Sequence, residues 1–202
     1  MDHHEDMTME ERKAAGMLWM DTKESMQQQV RARGLCRQFN STGPEEAERR
    51  IELLHQILGS CGRDVWIEPP LTLAAGRTVT IGDGTYINSN LTMVDDYKIT
   101  IGSHVLIGPN VTISATSHPL HWQLRPQGQM YSREVVIEDD VWISSCVVIC
   151  AGVRIGRGSV IGAGSVVTRD IPPMTLAFGV PCRAVRAITE EDLHQFEPLT
   201  TE

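Results

Sequence analysis

Ile137-Glu138-Asp139-Asp140-Val141-Trp142-Ile143-Ser144-Ser145-Cys146-Val147-Val148-Ile149-Cys150-Ala151-Gly152-Val153-Arg154-Ile155-Gly156-Arg157-Gly158-Ser159-Val160-Ile161-Gly162-Ala163-Gly164-Ser165-Val166-Val167 carries an aliphatic residue at every sixth position. On an α-helix six steps rotate a side chain by about 240°, so these residues would scatter around the axis and form no stripe. On extended chain six is a multiple of the two-residue repeat, and all of them point to one side. Four places after each aliphatic stands a second inward candidate, Val141, Val147, Val153, Ser159 or Ser165, small or β-branched. Between them Gly156-Arg157-Gly158 and Gly162-Ala163-Gly164 supply turn chemistry. The pattern describes short strands wound around one narrow core, and a hexapeptide period over many repeats marks a parallel β-helix. Stacked coils then bury one another's interior. A β-sandwich would separate its strands by loops of unequal length, and the regularity speaks against it.

Working outward, the same step joins Ile101, Ile107 and Ile113, and before them Ile81, Ile87 and Met93, with Thr85, Val105 and Val111 as second inward positions. Two breaks interrupt it. Between Ile113 and Ile137 the positions expected to be aliphatic hold Pro119, Arg125 and Tyr131, so the chain leaves the coil and returns. Irregular excursions from a rigid scaffold are where chemistry is usually mounted. Between Met93 and Ile101 the spacing is eight, at Val94-Asp95-Asp96-Tyr97. The two carboxylates there read first as a solvated turn, with a polar binding group as the alternative.

Upstream, Ile51, Leu54, Ile57 and Leu58 have helical spacing, Thr42-Gly43-Pro44-Glu45 reads as its capping box, and a further helix includes Glu10 to Met20. Such helices would cover the open end of the coil, whose unpaired edges otherwise invite aggregation. Downstream, Asp170-Ile171-Pro172-Pro173 halts the coil and Thr189-Glu190-Glu191-Asp192 starts a short closing helix. The expected organisation is mainly β: a helical cap over residues 1–64, the β-helix over 65–188 with an inserted loop at 115–134, and a closing helix and tail over 189–202.

The 202 residues suit one domain with appendages. A net charge of -8 repels nucleic acid and anionic membranes, so an anionic ligand must find a local basic pocket. No apolar run reaches the roughly 20 residues of a membrane span, and the start Met1-Asp2-His3-His4-Glu5-Asp6 is acidic where a secretory signal would be basic. A cytoplasmic protein is expected. Cys36, Cys61, Cys146, Cys150 and Cys182 are odd in number and scattered, which favours reduced thiols. The Cys146/Cys150 pair lacks the second ligand pair of a structural zinc site.

Several stretches resemble the maltose/galactoside/nodulation O-acetyltransferases, and most closely the family's galactoside members. They are Glu11-Arg12 through Asp21, Val65-Trp66-Ile67-Glu68-Pro69-Pro70, Asn90-Leu91-Thr92-Met93-Val94-Asp95-Asp96-Tyr97, Ser117-His118-Pro119, Val141-Trp142-Ile143, Ile161-Gly162-Ala163-Gly164-Ser165-Val166-Val167-Thr168 and Gly179-Val180-Pro181-Cys182-Arg183. The resemblance implies a left-handed coil, a homotrimer with active sites between subunits, acetyl-coenzyme A as co-substrate, a small sugar or glycoside as acceptor, and no required metal. It assigns His118 as general base and Ser145 to the thioester carbonyl. A sugar hydroxyl is a poor nucleophile at neutral pH and needs an imidazole to take its proton, and the tetrahedral oxyanion needs donors. Ser145, Ala163, Thr168, Arg169, Arg183 and Arg186 match coenzyme-binding positions; Asp21, Tyr86, Asn88, Asp96 and Met130 match acceptor-binding ones. The chain departs from the family at Leu73-Ala74-Ala75-Gly76, which lacks polar and aromatic residues, and at Gln129, where Glu is common. Both departures leave the acceptor's identity open. Two other readings compete: a carbonic-anhydrase-like zinc enzyme using His104, His118 and His121, and a solenoid without activity.

Overall fold

A computed structural model of the chain describes residues 7–196. The acidic start and the end of the C-terminal tail lie outside the described residues. The expected coil is present, and its strands fall into three parallel sheets, one per side of a prism. The first side holds Ser60–Cys61, Val79–Ile81, Ile99–Ile101, Val135–Ile137 and Arg154–Ile155. The second holds Trp66–Ile67, Tyr86–Ile87, Leu106–Ile107, Trp142–Ile143, Val160–Ile161 and Thr175–Phe178, with Arg183–Ala187 added antiparallel at its end. The third holds Leu71–Leu73, Leu91–Val94, Thr112–Ser114, Val148–Ile149 and Val166–Val167.

Register explains the breaks. Trp142 lies opposite Val160 and Val148 opposite Val166, three hexapeptides per coil, whereas Trp66 faces Tyr86 and Thr72 faces Thr92, two residues more. The extra pair sits where the third side turns into the first, between Leu73 and Val79 and again between Val94 and Ile99. Every sixth aliphatic from Ile81 to Val167 is buried, and so are the second inward residues, including Thr85, Ser159 and Ser165. Those three hydroxyls bond to the carbonyls of Gly102, Pro172 and Gly162, which is why polar side chains are tolerated inside the prism. Coils approach so closely that a Cβ at Gly108 would stand 2.9 Å from the Ser145 nitrogen.

Three expectations change. The coil does not halt at Asp170-Ile171-Pro172-Pro173: Ile171 pairs with Ile155, and Thr175–Phe178 stacks on Val160–Ile161, because the prolines occupy a corner where no ladder N–H is needed. Thr42 to Glu45 is not a capping box; the Thr42 hydroxyl donates to the Phe39 carbonyl and accepts from Arg50, and α3 (Ala47–Ile57) starts with no side-chain cap. The helix expected from Glu10 to Met20 is shorter, α1 (Met9–Ala14), with Thr8 and Glu11 as its capping box.

Between α1 and α3 lies α2 (Lys23–Asn40), which the sequence reading did not assign. Its buried stripe is sparse, Ala32, Cys36 and Phe39, and burial pushes the Cys36 thiol up to about 11. Phe39 packs with Leu53, Leu54, Ile57 and Leu58 of the α3 segment over the first coil. Asn40, at the end of α2, donates to the Leu71 carbonyl at 2.9 Å and accepts from the Leu71 N–H at 2.7 Å. Its amide thus stands in for the missing strand at the coil's open edge. At the far end α4 (Glu190–Leu193) begins at Thr189 with Asp192 as its capping partner.

Candidate active site

The excursion leaves the coil where the third side turns into the first. Thr116–Ser117 and Tyr131–Ser132 pair antiparallel as its stem, with Thr116 opposite Ser132 and Ser117 opposite Tyr131. Trp19 braces that stem. Its backbone exchanges two 2.9 Å hydrogen bonds with Met130, and its indole N–H donates at 3.0 Å to the Ser132 hydroxyl, which also bonds Thr116 at 2.8 Å. The Lys13 ammonium lies 4.0 Å above the indole ring and pairs with Glu10 at 2.8 Å.

His118 follows the stem and is exposed. Its Nδ1 lies 2.8 Å from the Gln129 carbonyl oxygen. A carbonyl can only accept, so Nδ1 carries the proton and the neutral ring's lone pair sits on Nε2. The Gln129 side chain donates to Gln127 Oε1 at 3.4 Å, and its buried Oε1 has no partner among the described residues. His121 stacks on Trp122, while His104 pairs with Asp140 at 3.6 Å where the first side turns into the second. The three histidines do not converge, and among the described residues no group of His, Cys, Asp or Glu is arranged to hold a metal ion.

Two residues before α2's Thr22 cap lead from the Trp19 brace to Asp21. Asp21 Oδ1 accepts from Ser25 Oγ at 2.8 Å and from Gln29 Nε2 at 3.1 Å; the same Gln29 nitrogen donates to Asp96 Oδ1, also at 3.1 Å. A cavity of about 430 Å³ opens beside them, lined also by Glu10, Lys13, Ala75 and Thr78. Burial, then the charges of Asp95 and Asp21, push the Asp96 carboxyl above the usual aspartate range.

Asp95 corrects the reading of this segment as a solvated turn. It is fully buried and accepts from the N–H groups of Ala74, Ala75 and Gly76 at 2.6, 3.1 and 2.5 Å, and from the Thr78 hydroxyl. The Leu73–Gly76 segment that departs from the family is therefore wrapped around a carboxylate by its backbone. Small side chains suit such a tight wrap.

The remaining candidates lie elsewhere on the prism. Tyr86 projects outward from the second side; Asn88, Ser145 and Ala163 stand on corners where the second side turns into the third, Ser145 and Ala163 on successive coils and Asn88 two coils before Ser145. Next to Ala163, a Cβ at Gly164 would meet nothing within 4 Å, so this corner is open. Arg183 follows the Gly179–Cys182 segment that bonds to Ser165 and Val166, and it donates to the Cys182 carbonyl. Thr168 and Arg169 are exposed on the other edge, the one that carries Asp96 and His118. Arg186 is already committed to Asp192 through two bonds of 2.7 and 2.6 Å. Among the described residues neither Arg169 nor Arg183 forms an ion pair.

The candidate residues of one chain thus fall into two groups, two candidate half-sites. Asp21, Asp96, Met130 and His118 gather at one edge of the third side, and Asn88, Ser145 and Ala163 line the other. A strand rises about 3.3 Å per residue, so the five residues from Ser145 to Cys150 across that side span roughly 15 Å, beyond any direct contact. Gln29 and Trp19, which organise the first half-site, were not singled out from sequence. The only local signals were the Thr22/Ser25 cap and the 25, 29, 32, 36, 39 spacing along α2.

The maltose acetyltransferase hexapeptide capping motif matches residues 12–62, and the bacterial transferase hexapeptide pattern of six repeats matches residues 134–169. Galactoside O-acetyltransferase of Escherichia coli (strain K12) is 47% identical over 191 residues, 94% of each chain. The protein of that name from Lactococcus lactis subsp. lactis (strain IL1403) is 42% identical over 89% of this chain and 84% of its own. A galactoside acetyltransferase solved in complex with coenzyme A superposes with a TM-score of 0.91 at 45% identity, covering 98% of this chain and 100% of that one. A maltose O-acetyltransferase from Clostridium difficile 630 superposes at 0.88 and 38% identity, covering 91% and 98%.

Proposed function

This chain belongs to the hexapeptide-repeat O-acetyltransferases, the family of the galactoside and maltose enzymes, and we propose that it transfers the acetyl group of acetyl-coenzyme A directly to a hydroxyl of a small sugar or glycoside. The observation that carries the proposal is the 2.8 Å contact between His118 Nδ1 and the Gln129 carbonyl. With Nδ1 committed to that carbonyl, Nε2 is the ring nitrogen available as the base, on an exposed loop. His118 Nε2 takes the acceptor's proton as the hydroxyl oxygen bonds to the thioester carbon. The Ser145 hydroxyl donates to the carbonyl oxygen as it gains charge. The imidazolium then returns its proton to the departing sulfur as the carbon–sulfur bond breaks, giving acetyl ester and free thiol with no covalent enzyme intermediate.

The corner of Ser145, Ala163 and Gly164 offers backbone and open space to a pantetheine arm, and Arg169 and Arg183 are cations without an ion pair among the described residues. Arg186 can serve the phosphates only when its pair with Asp192 opens. Because the half-sites stand at opposite edges of one side, we read the complete site as shared between subunits of a homotrimer. The outer ladder of the second side supports an assembled state: Tyr86 is 38% and Leu106 and Trp142 are each 50% exposed, an apolar strip that a neighbour would cover. All five cysteines are free, in keeping with a cytoplasmic location. No helix among the described residues is long and apolar enough to cross a membrane.

The test follows thiol release from acetyl-coenzyme A across sugars, aminosugars and alkyl glycosides. Turnover with at least one hydroxyl acceptor is expected, and His118→Ala should lower it roughly 10²- to 10⁴-fold while coenzyme binding is kept. Unchanged turnover in that variant would remove His118 as the base.

A further inference from the structure

Gln29 lies in the acceptor cavity without having been assigned any part in it. It sits on the inner face of α2, four residues after Ser25 and three before buried Ala32, so the helix aims it at the coil corner of Asp96. Its amide nitrogen has two hydrogens, and both are committed, one to Asp21 Oδ1 and one to Asp96 Oδ1, each at 3.1 Å. Its Oε1 accepts from Arg33 at 3.3 Å, which fixes which end of the amide faces the carboxylates. Asp21 Oδ1 is further occupied by Ser25. Among the described residues that leaves the Oδ2 atom of each carboxylate without a side-chain donor, and both residues line the same cavity. Lys13, whose charge acts on Asp96, is held by Glu10 and the Trp19 ring.

We infer that Gln29 is a positioning residue of the acceptor site, a neutral clamp that fixes Asp21 and Asp96 as one receptor for two neighbouring hydroxyl groups of the sugar. The inference rests on the acetyltransferase reading above. Carboxylates accept and cannot donate, so the ligand must bring two donors, and a pair of adjacent ring hydroxyls does so. Without the clamp Asp21 keeps only its Ser25 bond, Asp96 loses the Gln29 donor and the pair repels, so the site loses its fixed spacing before any contact with the reacting hydroxyl is touched.

The experiment compares the wild-type protein with Gln29→Met, which keeps the length and removes the donor, and with Gln29→Glu, which adds a third carboxylate. Initial rates are measured on the best glycoside from the acceptor screen and on its singly deoxygenated analogues. The acceptor KM is expected to rise about 10-fold in Gln29→Met and further in Gln29→Glu, with the KM for acetyl-coenzyme A and the kcat at saturating acceptor within about twofold of wild type. On the two deoxy analogues that lack one member of the hydroxyl pair, the rise should shrink to less than about threefold. An equal rise on every analogue, a loss confined to kcat, or no change would overturn the inference while leaving the acetyltransferase reading intact. A wild-type protein that acetylates no acceptor would overturn that reading and the inference with it.

Discussion

In the rungs from Val135 to Val167 every sixth side chain is at most 1% exposed, whereas in the neighbouring excursion Leu120 is 95% and Trp122 63% exposed. The rungs are held on both sides: Trp142–Ile143 bonds to Leu106–Ile107 in one direction and to Val160–Ile161 in the other. The excursion is held at its base, by its two-residue stem and by Trp19, and nearer its tip by the His118–Gln129 contact. Stability and exposure are thereby separated along the chain. The His118 side chain can stand free because the scaffold beneath it does not depend on it, and it is aimed by a bond that lies outside the repeat.

The largest expected effect concerns whether the two edges of the third side serve the same subunit. His118→Ala lacks the base at one edge, and Ala163→Trp blocks the open corner at the other. Each alone should be nearly inactive. Unfolded together at 1:1 and refolded, they should recover roughly a quarter of the wild-type rate, the share of sites that draw an intact half from each neighbour in random assembly. No recovery in refolded, assembled mixtures would mean that each subunit completes its own site.

Within the rungs, Ile149→Ala removes a fully buried side chain whose place cannot collapse, and should cost about 3 kcal/mol, a fall in Tm of roughly 10 °C by calorimetry. Activity of the folded fraction should stay near wild type, in contrast to His118→Ala. Trp19→Phe tests the junction of the two regions. It deletes the 3.0 Å bond to Ser132, should cost about 1 kcal/mol, and should lower kcat severalfold as the stem loosens.

The smallest effect is a change of sign. The Asp96 carboxyl is raised above its usual range, so the folded state holds that proton more tightly than the unfolded chain does, and the ionised form costs stability at neutral pH. Asp96→Asn should raise Tm by about 1–2 °C at pH 7, with the gain gone below roughly pH 4, where the carboxyl is protonated in both states. The same exchange should raise the acceptor KM. A drop in Tm at pH 7 would show that the Gln29 bond outweighs burial.

The rungs of Ile137 to Val167 and the excursion were legible because each depends on chain order alone; His118 was marked out by its resemblance to a family motif. Asp95 was misread because a pair of aspartates in a break has the composition of a surface turn. What reverses that reading is three backbone N–H groups about twenty residues upstream, which only the stacking of coils brings within reach. α2 escaped notice because its apolar stripe is thin, and the halt at Pro172-Pro173 was misplaced because prolines break ladders but not corners.

By itself, then, the sequence determined the period, the inward residues and the interruption that carries the imidazole, since side-chain direction on extended chain follows from parity and needs no partner. The tertiary structure alone decided that Gln29 meets Asp96 across 67 residues and that Asp21, Asp96 and His118 share one edge while Ser145 and Ala163 take the other. Those relations depend on how coils stack and where the helical cap docks, which local propensity does not encode.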